Sequence, residues 1–168
     1  MGIELTQMAL NRKIAQQRPL AKFFQLAEAA GIHQVELRND MTTSDGSETV
    51  IDGMQVAEFQ TLKQKYDMQI LTINAIQQFN NPAKLSKNRD LLTKLAELSA
   101  QIGNQAIIFV PEVNARDKRT EQQRLDDTVS SLQVFGDILA AYHLTGFIEP
   151  LGFRASTMRY PWTCLLYT

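Results

Sequence analysis

A carboxylate that closes an apolar run and is followed at once by Pro and Gly is the residue in this chain best placed to do chemistry. Glu149 is that residue, in Gly146-Phe147-Ile148-Glu149-Pro150-Leu151-Gly152-Phe153. Such a run reads as a buried strand opening into a loop. Where strands are parallel, ligands bind at their carboxyl ends, so Glu149 stands where a proton-transferring or metal-ligating carboxylate belongs. The alternative is a strand-end glutamate paired with a Lys or Arg. The same pattern of apolar run and polar end places Glu36 and Arg38, Asn74, and Asn114 at the ends of earlier runs. Glu36 and Arg38 read equally well as a structural ion pair. His33 and His143 fall at the opposite ends of the strands, where a lone histidine caps or packs more often than it ligates.

The elements that must position these groups alternate along the chain. Strands are expected at 3–10, 34–38, 69–75, 106–110 and 146–150. The helices between them are expected at 19–30, 55–66, from an N-cap at Ser86 to Gly103, and at 120–142. Residues 44–47 fall in the longest irregular stretch. In the last helix Leu125, Val129, Leu132, Phe135, Leu139 and Ala140 are expected to face inward. A βα unit recurring at just over thirty residues implies parallel strands with right-handed crossovers. No glycine-rich phosphate fingerprint follows any strand.

Side chains alternate across a strand. Gln34, Glu36 and Arg38 share one face of the second strand, and Thr72 and Asn74 one face of the third. One face therefore becomes polar toward the carboxyl ends, strand after strand. A sheet covered by helices on both faces would be apolar on both. A barrel explains the pattern, because its inner face lines the mouth of a site.

Composition narrows the function. The chain has 168 residues, 17 Lys plus Arg and 18 Asp plus Glu, for a net charge of −1. That balance gives no electrostatic footprint for nucleic acid or for an anionic membrane. One cysteine, Cys164, excludes an internal disulfide. With no signal-like start and no membrane-length apolar run, a cytoplasmic protein is expected.

Val35-Glu36-Leu37-Arg38-Asn39-Asp40 after Ala29-Ala30-Gly31-Ile32 resembles the second-strand motif of the xylose-isomerase-like TIM-barrel superfamily. Thr72-Ile73-Asn74-Ala75 resembles its third strand, and Ile148-Glu149-Pro150-Leu151-Gly152 its fifth. That superfamily includes sugar phosphate isomerases and epimerases, the inosose dehydratases and isomerases of inositol catabolism, and the family-two apurinic endonucleases. The resemblance implies an α/β fold, a parallel (β/α) repeat forming an incomplete TIM barrel of about five of eight units. It implies Glu149 as catalytic carboxylate and first ligand of a divalent metal (Mn, Mg, Co or Zn), with Glu36, Arg38, Asn74 and Asn114 lining the substrate site. The implied chemistry is metal-assisted proton transfer on a sugar or polyol ketone.

A full barrel needs ~250 residues. Residues 1–153 are therefore expected to form a partial barrel, and 154–168 an atypical tail that looks truncated or frame-shifted. With the remaining ligands missing, metal binding is expected to be weak or absent. Open edges at strands one and five, and a wall exposing Phe109 and Phe147, point to a homo-oligomer. The alternatives are a non-catalytic, self-associating fragment and, with less support, endonuclease-like nucleic-acid processing.

Overall fold

A computed structural model describes residues 4–41 and 50–159. Ile3 of the first expected strand, the loop at 44–47 and the end of the tail at 160–168 lie outside the described residues. The elements are β1 (Ala9–Asn11), α1 (Leu20–Ala29), β2 (Gln34–Arg38), α2 (Val56–Lys65), β3 (Gln69–Gln77), α3 (Leu85–Ile102), β4 (Ala106–Val110), α4 (Glu121–Ala141) and β5 (Thr145–Ile148). They build a parallel five-stranded sheet in the order β1-β2-β3-β4-β5, so β1 and β5 are its outer strands. Residues up to Asn74 with Leu98–Ala106 form one compact unit, and Ala75–Glu97 with the chain from Ile107 onward form a second.

In the first unit α1 buries Leu20, Phe23, Phe24 and Ala27, spaced to share one face. Phe24 meets Phe59 of α2 and Tyr66 edge-on, with ring centroids 6.1 and 6.4 Å apart. Aromatic pairs of this geometry add to the stabilisation that burial alone gives. The chain leaves α1 through a left-handed Gly31, whose N–H reaches the Glu28 carbonyl while that of Ile32 reaches Ala27. This double bond satisfies carbonyls that the helix end would leave open. Helices α2 and α4 stop the same way on non-glycine residues, Asp67 and His143, both at positive φ. His143 is thus a helix-terminating residue.

Three expectations, for β1, α3 and the buried face of α4, are corrected. The first strand is only Ala9–Asn11, because Leu5–Gln7 closes into a 3₁₀ turn. Ser86 does not cap α3. Asn81 instead caps a 3₁₀ turn at Pro82–Lys84, accepting the Ala83 N–H at 2.9 Å, and the helix runs on from Leu85. In α4 the buried residues are Thr128, Ser131 and Phe135, while Leu125, Val129, Leu132 and Leu139 are half-buried and Ala140 is exposed. The start of α4 agrees with expectation: Thr120 and Gln123 cap each other, at 3.2 and 2.8 Å.

Phe109 organises the second unit. It packs edge-on against Phe79 and stacks on Phe135, with centroids 5.8 and 5.4 Å apart. It is 1% exposed, so the expected exposure of Phe109 is overturned; Phe147, at 52%, is exposed as anticipated. A Cβ on Gly146 would lie 2.8 Å from the Phe109 ring and 2.9 Å from Leu139, closer than carbon atoms pack. Gly146→Ala is expected to destabilise the protein by about 1–3 kcal/mol, the cost of overpacking a filled core. A shift in the urea midpoint measures it; an unchanged midpoint would show that the Phe109 stack is loose.

Candidate functional site

The polar strand ends of the first unit depend on an irregularity in β3. Gln34 and Val35 pair with Gln69 and Ile70, but Glu36, Leu37 and Arg38 pair with Thr72, Ile73 and Asn74. Leu71 is the extra residue of a bulge. Without it Glu36 would face Leu71, and Thr72 and Asn74 would fall out of step with the polar face of β2. Bulges re-aim side chains in this way at functional edges of sheets. Asn11 of β1 is also in register with Glu36, so Asn11, Glu36 and Thr72 form a row across three strands.

The Glu36 carboxylate collects that row. One oxygen accepts hydrogen bonds from the Asn11 side-chain amide and from Asn74, the latter at 3.3 Å, and the other accepts from the Thr72 hydroxyl at 2.6 Å. A carboxylate offers about four lone-pair sites, so three donors leave acceptor capacity for a ligand hydroxyl. Asn74 is buried. Arg38 forks onto Asp40 at 2.6 and 2.7 Å, and Lys13 lies 3.8 Å from the same carboxylate. The Arg38 hydrogen bond is the main cause that holds the Asp40 carboxyl below its ordinary value, outweighing burial.

The second unit holds a residue that the sequence reading passed over. Glu112, two residues beyond β4, is 5% exposed. Its carboxylate accepts from Asn81 at 2.9 Å, from Asn114 at 3.3 Å and from Arg119, and its N–H donates to the Asn80 side chain at 2.9 Å. Arg119 also bonds Asp117, at 2.9–3.2 Å, and Asp127, at 2.8 Å. Asp117 above all, with Asp127 and Glu112 adding, raises the Arg119 pKa beyond its ordinary value. Residues 155–157 fold back on this cluster: Ser156 bridges Val113, and the Thr157 N–H meets the Glu112 carbonyl at 2.9 Å.

Of the residues singled out from sequence, Glu36 and Asn74 are joined directly, and Arg38 stands next to them on the β2 face. Asn114 is an exposed partner of Glu112 in the second unit. Glu149 lies there too, one residue past β5, exposed, with its N–H on the Phe109 carbonyl at 3.0 Å. Among the described residues no group of three His, Cys, Asp or Glu could hold a metal ion. Glu149 offers one carboxylate, so these residues do not fit a divalent-metal centre by themselves. No helix among them is long and apolar enough to cross a membrane.

These features define a parallel (β/α) protein with polar groups gathered at strand ends. The chain belongs to the xylose isomerase-like TIM barrel family, whose model matches residues 24–163. It is 32% identical to a xylose isomerase domain containing protein from Salmonella typhimurium LT2, with a TM-score of 0.81 over 99% of this chain and 57% of that one. The IolI protein with a bound zinc atom is similar in fold at 18% identity, with a TM-score of 0.82 over 95% of this chain and 56% of that one. A D-tagatose 3-epimerase-like protein is similar at 12% identity and a TM-score of 0.73, over 95% and 59%. The chain thus spans a little over half the length of these three solved structures. No curated protein matches its sequence. The fold is a partial TIM barrel, five strands of the eight-stranded plan.

Proposed function

We propose that this chain handles a sugar or polyol in the manner of an isomerase or epimerase. The observation that carries this reading is the Glu36 carboxylate, held by Asn11, Thr72 and Asn74 with acceptor capacity left for a substrate hydroxyl. Glu149 is the proposed proton-transferring carboxylate of the parent family's reaction on a ketone substrate, a reaction that 1–168 alone is not expected to complete. Metal assistance is the family's implied chemistry, supported by the zinc in the IolI protein. The described residues supply too few ligands to hold a metal by themselves.

Nuclear magnetic resonance titration with D-fructose, D-tagatose and myo-inositol tests the binding half. Millimolar-range binding is expected, with shifts at Asn11, Glu36, Thr72 and Asn74. Glu36→Gln should abolish it, since a carboxamide turns one acceptor into a donor facing donors, at a stability cost of about 1–3 kcal/mol. Sugar shifts unchanged in a folded Glu36→Gln variant would rule out this site. Purified 1–168 with added Mn, Mg, Co or Zn is expected to show no turnover, and turnover abolished by Glu149→Gln would overturn that.

A second reading is self-association through the outer strands, favoured by exposed Phe147 in β5 and exposed Phe153 just beyond it. Sedimentation should then show a dimer or larger species that Phe147→Ser shifts toward monomer. A clean monomer at every concentration would dismiss it.

A further inference from the structure

An open cleft of about 300 Å³ lies in the second unit, between the segment after β4 and the segment after β5. The two walls are tied together by the Val113–Ser156 bridge and by the Asn114 N–H on the Ala155 carbonyl at 2.9 Å. The cleft is therefore formed before any ligand arrives, which lowers the ordering cost of binding. Ala115 and Ala155 line it without filling it.

What the lining has left to offer is one-sided. Both Asp117 oxygens are taken by Arg119, whose hydrogen bond is the main cause that keeps this carboxyl below its ordinary value. The neighbouring acids Glu112 and Asp127 are bonded to Arg119 as well. Asn114 accepts the Arg116 N–H and donates to Glu112. Three groups have donor capacity to spare: the guanidinium of Arg124 in the first turn of α4, which acts on Asp117 only through its charge, the guanidinium of Arg154, and the hydroxyl proton of Ser156. Neither guanidinium makes a hydrogen bond or a close ion pair among the described residues, and the Ser156 oxygen accepts the Met158 N–H at 3.2 Å. A site whose free groups are two cationic forks and a hydroxyl donor calls for an anionic, acceptor-only ligand. Guanidinium forks match phosphate oxygens in particular.

We infer that this cleft binds a phosphate group, as the free anion or as the monoester of a small molecule. The proposed sugar site rests on Asn11, Glu36, Thr72, Asn74 and Glu149, none of which lines this cleft, so the two fail separately.

Amide and arginine side-chain spectra of the full chain, titrated at constant ionic strength with inorganic phosphate, glucose 6-phosphate and glucose, provide the test. Both phosphates should shift Asn114, Ala115, Ala155, Ser156 and the Arg124 and Arg154 side chains, and glucose should not. Tighter binding of the ester would identify a phosphorylated small molecule as the ligand, and equal binding the free anion. Arg154→Gln, at an exposed position that leaves the fold intact, should weaken phosphate by about tenfold. Arg124→Gln should do the same, and Arg124→Lys, which keeps the charge and loses the fork, should fall between. The inference is overturned by silence at the cleft with both phosphates, by equal affinity in Arg154→Gln, or by shifts that glucose alone reproduces.

Discussion

Arg119→Met is expected to lower stability by about 3–5 kcal/mol near neutral pH, the cost of leaving buried charge without its partner. Arg119 holds Glu112, Asp117 and Asp127 together and also donates to the Asn80 carbonyl at 3.1 Å. The side chains of Glu112 and Asp117 are only 6% and 7% exposed. Methionine would cover similar apolar area but leave two buried carboxylates without the guanidinium that binds them, with only the charge of Arg124 still acting on Asp117. Against a total stability of about 5–15 kcal/mol, that is a large fraction.

The loss should depend on pH, in a direction fixed by Asp117. Its folded pKa lies below the ordinary value of 3.8, chiefly through the Arg119 hydrogen bond. The stability it contributes is therefore present above that value and is lost as pH falls through the folded pKa. In Arg119→Met the favourable interaction is gone and burial favours the protonated acid. The gap between parent and variant should then narrow as pH falls to about 4 and below. Urea midpoints across that range decide it. A gap under about 1 kcal/mol at neutral pH, or one that does not narrow in acid, would mean that water already screens the cluster.

What could be read in the sequence follows the range of the interactions. β2 and β4 were legible to the residue, because Gln34–Arg38 alternates strictly and Ala106–Val110 is unbroken. The faint alternation from residue 3 to 10 was not enough, since the tendency of Leu5–Gln7 to close a single turn prevails there. The bulge left a trace that went unused: Ile70 and Leu71 are adjacent apolar residues, and period two resumes only at Thr72. Glu36 and Asn74 were found because strand parity brought them to one face. Glu112 was missed because Pro111 made its segment read as a stop. Its partners Asn81, Asn80 and Arg119 lie on separate segments whose meeting no local pattern records. Arg12 was missed for a related reason: Asn11-Arg12 reads as a polar connection, yet Arg12 is 1% exposed.

That buried arginine carries the other large expected effect. Its guanidinium pairs with Asp52 and donates to the Val50 carbonyl at 3.3 Å, while its Nε is buried with no partner among the described residues. Asp52 is 12% exposed, and its second oxygen accepts the Leu20 N–H at 2.7 Å, at the first turn of α1. The two partners are therefore not equivalent. Asp52→Asn removes the only carboxylate bonded to a fully buried cation among the described residues and should cost about 3–5 kcal/mol. Arg12→Met leaves a carboxylate that still caps α1 and still faces the positive end of its dipole, so about 1–3 kcal/mol is expected. Methionine also removes the orphaned Nε, which offsets part of the loss. The double variant should be no worse than Asp52→Asn alone, because no buried cation then remains. A double-mutant cycle from urea unfolding reads this coupling directly. Equal costs for the two single changes, or simple additivity in the double variant, would show that water reaches the guanidinium and that Arg12 is not the buried anchor of α1.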